Sequence, residues 1–256
     1  MNKTWITFRK DVFLRDLFQE FFDAWLYFEK IRKKHKKSSA IPFKMLDDWV
    51  GSENKKGPLW HLKDQSHRLF RNSQYKSSLY EHLFDWTMGS IFHEAMKLKE
   101  DSYQVESYKP LLELEVSRND HNQELSKIIN EYFVLIENAN KNLINELQNV
   151  DELLSKAIYH LREIFILKKK NIHLLRLLLD NQKTARLVFG KKNLDKTFTQ
   201  MYPEGMHTAY ITVAKDCREH GWMDAAYAYA QSALKSAPGN KSVVKLLNEL
   251  KKAAEH

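Results

Sequence analysis

The chain is poor in the two residues that most often interrupt helices. It contains only 7 glycines and 5 prolines among 256 residues, which is well below average usage. Because β-rich folds need many turns, this scarcity favours long helices over a sandwich or barrel. Hydrophobic residues make up 43% of the chain and charged residues 29%, which allows a buried core and a hydrated surface. The composition predicts an all-α, multi-helix bundle.

Cysteine is nearly absent, and long hydrophobic runs are missing. The single cysteine, Cys217, excludes an intrachain disulfide framework and a zinc site made of several cysteines. No stretch approaches the roughly 18 apolar residues of a transmembrane helix. The charges within MNKTWITFRKDVFLRDLF argue against a secretory signal. We therefore expect a soluble protein with a cytoplasmic location.

Positive charge concentrates near the N-terminus. The net charge is +8, and residues 1–37 hold ten Lys and Arg against five Asp and Glu. Such a run either binds phosphates or an anionic surface, or it stabilises the negative end of a helix. The second interpretation is favoured, and a peripheral membrane or nucleic-acid binder stays an alternative. Six cations in KIRKKHKK form this basic patch: Lys30, Arg32, Lys33, Lys34, Lys36 and Lys37.

Apolar residues recur every three or four positions along most of the chain, as on one face of a helix. The spacing predicts one helix over residues 7–37, with its aromatic face in the core. Ser78 and Glu81 have the spacing of a capping box, so a helix should run from there to about Glu100. We further expect helices beginning at Pro42 and Pro58, an irregular segment at 101–119 around Pro110, and helices at 168–190 and 194–201.

Residues 125–165 carry a seam that resembles a coiled coil. Apolar positions alternate by four and three from Leu125 to Ile164, with a repeated four between Leu143 and Leu147. The pattern predicts either one helix of about 45 residues or two helices with a turn near Asn149. It fits helix association within the chain as well as a homo-oligomer formed through this seam.

Small residues at regular intervals set residues 207–240 apart. In a window of 34 residues that starts at His207, the pattern resembles the tetratricopeptide repeat. That family has two antiparallel helices with small residues at their crossing. Cys217 and Ala214 depart from the pattern, because the family has an aromatic residue and a glycine there. The agreeing positions are Tyr210, Val213, Ala214 as a small residue, Gly221, Ala226, Ala230, Ala233 and Pro238.

The resemblance implies a helical hairpin with a capping helix. Helices are expected at 206–219 and 222–236, with a tight turn at Gly221 and a following helix at 241–253. The hairpin crossing should bury Ala214, Ala226 and Ala230, and the capping helix should cover the Tyr229 and Leu234 side. We accordingly divide the chain into a helical body at 1–200 and a repeat-like part at 201–256.

In the tetratricopeptide family, the first helix of each repeat lines a groove that binds peptides. The resemblance therefore implies a partner-binding stripe on the first helix, in which Lys215 and Arg218 would hold an acidic group of a protein or peptide partner. The alternative is that the hairpin only completes the helical bundle. The stripe consists of Thr208, Ile211, Lys215, Arg218 and Glu219.

Histidine and carboxylate residues gather between positions 61 and 94. Such groups on neighbouring helices can bind a transition metal, so a helical metal-dependent enzyme is an alternative function. The FHEAMK stretch has Lys97 where a zinc protease would have its second histidine. The candidate ligands are His61, Asp64, His67, His82, Asp85 and His93.

The sequence offers no other signature of catalysis. It lacks a glycine-rich phosphate loop and a Gly-x-Ser-x-Gly elbow. The favoured expectation is therefore a helical interaction or scaffold protein, without a cofactor, that binds a protein partner. Whether it catalyses a reaction is left open.

Overall fold

The computed structural model describes residues 3–38, 40–117 and 123–254. Within these residues the chain forms eleven helices and no strand, which confirms the all-α prediction. The helices are α1 (Lys3–Ser38), α2 (Phe43–Val50), α3 (Pro58–Arg71), α4 (Leu79–Ser117), α5 (Gln123–Leu167), α6 (Ile172–Asp180), α7 (Gln182–Phe189), α8 (Lys191–Met201), α9 (Met206–Glu219), α10 (Met223–Ser236) and α11 (Lys241–Ala254).

The chain divides into two compact units. Unit 1 comprises Met1–Gln19 and Leu161–His256, and unit 2 comprises Glu20–His160. The predicted division at residue 200 groups the chain differently, because the beginning of α1 belongs with the C-terminal helices. Both α1 and α5 continue from one unit into the other.

Aromatic side chains form the core of unit 2. Phe84 of α4 contacts Phe21 and Phe70 edge to face, with ring centroids 5.8 and 6.1 Å apart. The Trp49 indole N–H donates to the Ala24 carbonyl oxygen over 3.0 Å, so its one polar group is satisfied within the core. Each fully buried aromatic side chain stabilises the fold by roughly 1.5–3 kcal/mol. The aromatic face of α1 is therefore core in unit 2, as predicted.

α4 begins as predicted but continues beyond the predicted end. The Ser78 backbone N–H donates to Glu81 Oε2 (2.6 Å), and the Glu81 backbone N–H donates to Ser78 Oγ (3.4 Å), which together form the capping box. The irregular segment expected at 101–119 is wrong as far as Ser117, because α4 passes through Pro110. Residues 118–119 lie outside the described residues. Pro110 is exposed, so solvent can hydrate the carbonyl group that its missing N–H leaves unpaired.

α5 is one helix of 45 residues without a turn near Asn149. The seam is buried within the chain from Ala139 to Ile164 and only half-buried at Leu125, Ile129 and Ile136. Tyr132 stacks on Tyr108 of α4 with ring centroids 5.7 Å apart. This contact shows that the first part of the seam faces α4 of the same chain. A homo-oligomer through the seam stays a prediction.

The single helix predicted at 168–190 is wrong, since α6 and α7 lie there instead. The Asn171 side chain accepts from the Leu174 backbone N–H (3.0 Å) and caps α6. The Asn181 side-chain amide donates to the Leu177 carbonyl oxygen (3.0 Å) and separates α6 from α7. Asparagine side chains compete with the helix backbone for hydrogen bonds, which explains both boundaries. Gly190 ends α7 as predicted, with a φ of 78°.

Candidate functional site

The two histidine and carboxylate segments of the predicted metal site meet at one point only. Asp85 is buried and accepts from Ser66 Oγ (3.0 Å) and from Arg71 Nε (2.8 Å). His67 Nδ1 lies 3.7 Å from Asp85 Oδ2. The Asp85 carboxylate is therefore held mainly by a hydroxyl and a guanidinium group, as in a structural ion pair.

The remaining predicted metal ligands do not converge. Asp64 forms ion pairs with Lys56 (2.6 Å) and Lys63 (3.6 Å). Over the described ranges, no group of three or more His, Cys, Asp or Glu residues could hold a metal ion. The structure therefore does not assemble the alternative metal site. The other three predicted ligands have exposed side chains: His61, His82 and His93.

Carboxylates of α4 and α5 meet in unit 2 at a place that the sequence analysis missed. Burial, and then the negative charge of Asp101 and a hydrogen bond with it, raise the pKa of Glu146 to about 8. Glu94 lies close by and accepts from Lys97 Nζ (2.8 Å) and from Asn149 Nδ2 (3.1 Å). The signal was the spacing of Glu94, Lys97 and Asp101, which places all three on one face of α4.

The basic patch at residues 30–37 ends α1. Arg32 is engaged with Glu29 (2.8 Å) and Asp151 (2.9 Å). Lys36 and Lys37 lie in the last helical turn, where cations interact favourably with the helix dipole. Binding of this patch to phosphates or an anionic surface stays a prediction. The other five cations are exposed: Lys30, Lys33, Lys34, Lys36 and Lys37.

The C-terminal hairpin has the predicted helices. α9 and α10 are joined by a turn in which Gly221 has a φ of 75°, a conformation that favours glycine. Ala214, Ala226 and Ala230 are fully buried. Their small side chains allow the two helix backbones to approach closely, which is the physical role that the alanine spacing predicted.

α11 lies beside α9 and runs parallel to it. Short connections make α9 and α10 antiparallel, and likewise α10 and α11. At one end, Asn240 Nδ2 lies 3.1 Å from His207 Nε2. Towards the other end, the Arg218 guanidinium donates to Glu249 Oε2 over 2.8 Å. These contacts join residues 33 and 31 positions apart, which is close to the period of about 34 residues in the repeat family.

The predicted partner-binding stripe follows the side of α9 that reaches α11. Lys215 and Glu219 are exposed, whereas Thr208 and Ile211 are half-buried. Arg218 is held by Glu249, so the interpretation of this residue changes: it joins the two helices. An exposed row on α11 extends the stripe beyond α9 and surrounds a shallow depression lined by Lys241, Val244, Lys245, Asn248, Glu249 and Lys252.

Comparisons with known proteins add no relative. No protein-family model matches the chain, and no curated protein or solved structure is significantly similar to it. The likeness of residues 207–240 to the tetratricopeptide repeat therefore remains a resemblance. None of the helices in the described ranges has the length and apolarity needed to cross a bilayer.

α6 covers a different side of the hairpin from the stripe. Tyr229 donates to Asp180 and Gln182 donates to Tyr210, so the end of α6 and the start of α7 contact both hairpin helices. The expectation that α11 covers Tyr229 is therefore not met. Burial raises the pKa of the Cys217 thiol, and this side chain is fully buried, which fits a core residue. Lys215 and Glu219 stay exposed to solvent on the other side.

Proposed function

We propose that this protein is a helical interaction or scaffold protein, and that α9 and α11 bind an acidic, partly apolar segment of a protein partner. The observation that carries the proposal is the paired arrangement of these two helices. Two side-chain contacts, His207 with Asn240 and Arg218 with Glu249, hold them parallel and in register. A segment that lies along both helices would meet side chains at fixed spacing.

The register brings two lysines to the same level. Lys215 precedes Arg218 by about one helical turn, and Lys245 precedes Glu249 by about one turn. Because the helices are parallel and Arg218 contacts Glu249, Lys215 and Lys245 stand next to each other across the pair. Neither lysine forms an ion pair with another residue of the described chain. Two adjacent ammonium groups favour a carboxylate-rich ligand.

An apolar position lies one turn further along the same surface. Ile211 on α9 is half-buried, and Val244 on α11 is 40% exposed. The surface therefore combines cations with a small apolar area, and Glu219 is its only unpaired predicted acidic member. This combination suits a peptide with an apolar side chain between acidic residues, whose burial adds affinity to the charge attraction.

Fluorescence anisotropy can test the proposal with two labelled decapeptides. One is rich in Asp and Glu around a central leucine, and the other has lysine in place of each acidic residue. The intact protein should bind the acidic peptide only, and the affinity should fall as salt screens the exposed charges. The double variant Lys215→Glu/Lys245→Glu should weaken binding at least about tenfold, because it reverses both aligned charges.

A matched variant separates local recognition from general charge. Lys183→Glu/Lys235→Glu makes the same charge change at two exposed lysines of α7 and α10, away from the proposed surface, and should leave the affinity unchanged. Both variants should retain the thermal midpoint of the original protein. Equal weakening by the two variants, or equal binding of both peptides, would contradict the proposal.

A further inference from the structure

The start of α1 carries an apolar stripe that faces solvent. Trp5, Phe8, Val12 and Phe13 follow a spacing of three, four and one, which places them along one side of the helix. Trp5 is 51% exposed and Phe8 is 48% exposed. Arg9 lies within the stripe, with its guanidinium carbon 5.5 Å from the centre of the Phe13 ring. The other side of this helix is buried at Leu14 and Leu17.

The stripe continues across α6 to the turn of the C-terminal hairpin. The Phe8 ring meets the His173 ring edge to face, with centroids 5.6 Å apart. Arg176 lies one turn further along α6, and its guanidinium carbon is 5.1 Å from the centre of the Trp222 ring. Because residues three apart share one face of a helix, Phe8 and Trp222 flank the same part of α6. We call Trp5, Phe8, Phe13 and Trp222 the aromatic face.

Cations border the aromatic face. Lys169 and Lys170 are exposed just before α6. The Asn171 side-chain amide donates to the Asp11 carbonyl oxygen (3.1 Å), which fixes these lysines beside α1. The nearby Asp16 carboxylate is paired with Arg15 (2.5 Å). In the sequence of unit 1, Lys and Arg number 21 and Asp and Glu number 11, whereas in unit 2 they number 20 and 22. The positive charge of the chain therefore belongs to the unit that carries this face.

We propose that the aromatic face docks onto the headgroup region of an anionic phospholipid bilayer. Tryptophan side chains favour the membrane interface, since their rings are apolar and their N–H groups can stay hydrated. Exposed lysines and arginines next to such rings are attracted to anionic lipid headgroups. Peripheral proteins with amphipathic helices combine both features.

The ring contacts favour a bilayer over a nucleic acid. Stacking of bases needs ring faces that are open to the ligand. Trp5 and Phe8 stack on each other at an interplanar angle of 20°, and Trp222 lies between His220 on one contact and Arg176 on another. These faces are thus partly occupied by neighbours within the protein. Their outer edges remain available to enter the headgroup region.

Co-sedimentation with lipid vesicles can test the inference on the full chain. Vesicles of phosphatidylcholine alone should leave the protein in the supernatant, and vesicles with about 30% phosphatidylglycerol should bring it into the pellet. Trp5→Ala/Trp222→Ala should lower partitioning into anionic vesicles at least about tenfold, because it removes two interfacial anchors. Lys169→Glu/Lys170→Glu should lower it to a similar extent by reversing the adjacent charges.

Two controls locate the effect. Trp86→Ala removes a tryptophan of unit 2 that is 71% exposed and should leave partitioning unchanged. Lys33→Glu/Lys36→Glu reverses charges in the basic patch and should change it little. Circular dichroism and thermal midpoints should match those of the original protein for every variant. Loss of partitioning in the basic-patch variant alone, absence of partitioning in the original protein, or full displacement of vesicles by an oligonucleotide would overturn the inference.

Discussion

At the scale of single residues, Glu146 shows how burial alters an ordinary carboxylic acid. Burial and the neighbouring Asp101 raise its pKa from 4.5 to about 8, because both disfavour its charged form. Its Oε2 atom is buried and has no hydrogen-bond partner among the described residues. Proton binding to Glu146 is therefore part of the stability of unit 2 at neutral pH.

A dependence of stability on pH follows from this raised pKa. The pKa of the folded state lies above the ordinary value, so the stabilisation from protonated Glu146 is complete below about pH 4.5 and is lost as the pH rises through about 8. Glu146→Gln keeps a neutral side chain at every pH. Urea unfolding at about pH 5 and pH 9 should show a smaller loss of stability in this variant than in the original protein.

Glu152→Gln is the matched control for that experiment. It removes an exposed carboxylate from the same helix and so tests the effect of lost charge without the buried contact. The control should retain the pH dependence of the original protein. If the two variants behave alike, the raised pKa of Glu146 does not govern stability.

At the scale of elements, the α9–α10 crossing depends on small side chains. Ala226 is fully buried there, whereas Ala228 of the same helix is exposed. Ala226→Leu should overpack the crossing and lower the free energy of unfolding by about 1–3 kcal/mol. Ala228→Leu should change it little, because its side chain meets solvent. Chemical unfolding of both variants would check the difference, and equal effects would argue against a tight crossing.

Helix existence was predictable from spacing, but several boundaries were not. Repeated apolar positions indicated α1, α5 and the hairpin, and Ser78 with Glu81 marked the start of α4. Pro110 suggested an end to α4 because proline disfavours a helix interior. The contact between Tyr108 and Tyr132 pairs that part of α4 with α5 over a long sequence separation. Local patterns cannot report such a contact.

The candidate surfaces were only partly predictable for the same reason. The repeat resemblance pointed to the stripe on α9 through its spacing, and the structure leaves Lys215 exposed as expected. Arg218 looked equivalent in sequence, but its bond to Glu249 depends on where α11 lies. Likewise, the aromatic spacing of α1 suggested a core face, which holds for Phe21 and Phe28. Trp5 and Phe8 continue the same helix yet meet solvent.

At the scale of the whole molecule, charge is divided unequally along the chain. Lys and Arg exceed Asp and Glu by ten in unit 1, with 21 against 11, and fall short by two in unit 2, with 20 against 22. An excess of like charge lowers the stability of a compact state through self-repulsion. We therefore expect salt to affect the stability of the two units differently.

Hydrogen exchange followed by mass spectrometry can measure both units in one sample. Raising sodium chloride from about 50 to about 500 mM shortens the screening length to a few ångströms, which weakens repulsion among the cations of unit 1. Amides of α6–α11 should then exchange more slowly, and those of α2–α4 should change little. Sodium chloride and sodium sulfate at equal ionic strength should act alike if screening is the cause, since a bound anion would favour sulfate. Equal slowing in both units would instead indicate a general effect of salt on apolar burial, and the charge division would then have no influence on stability.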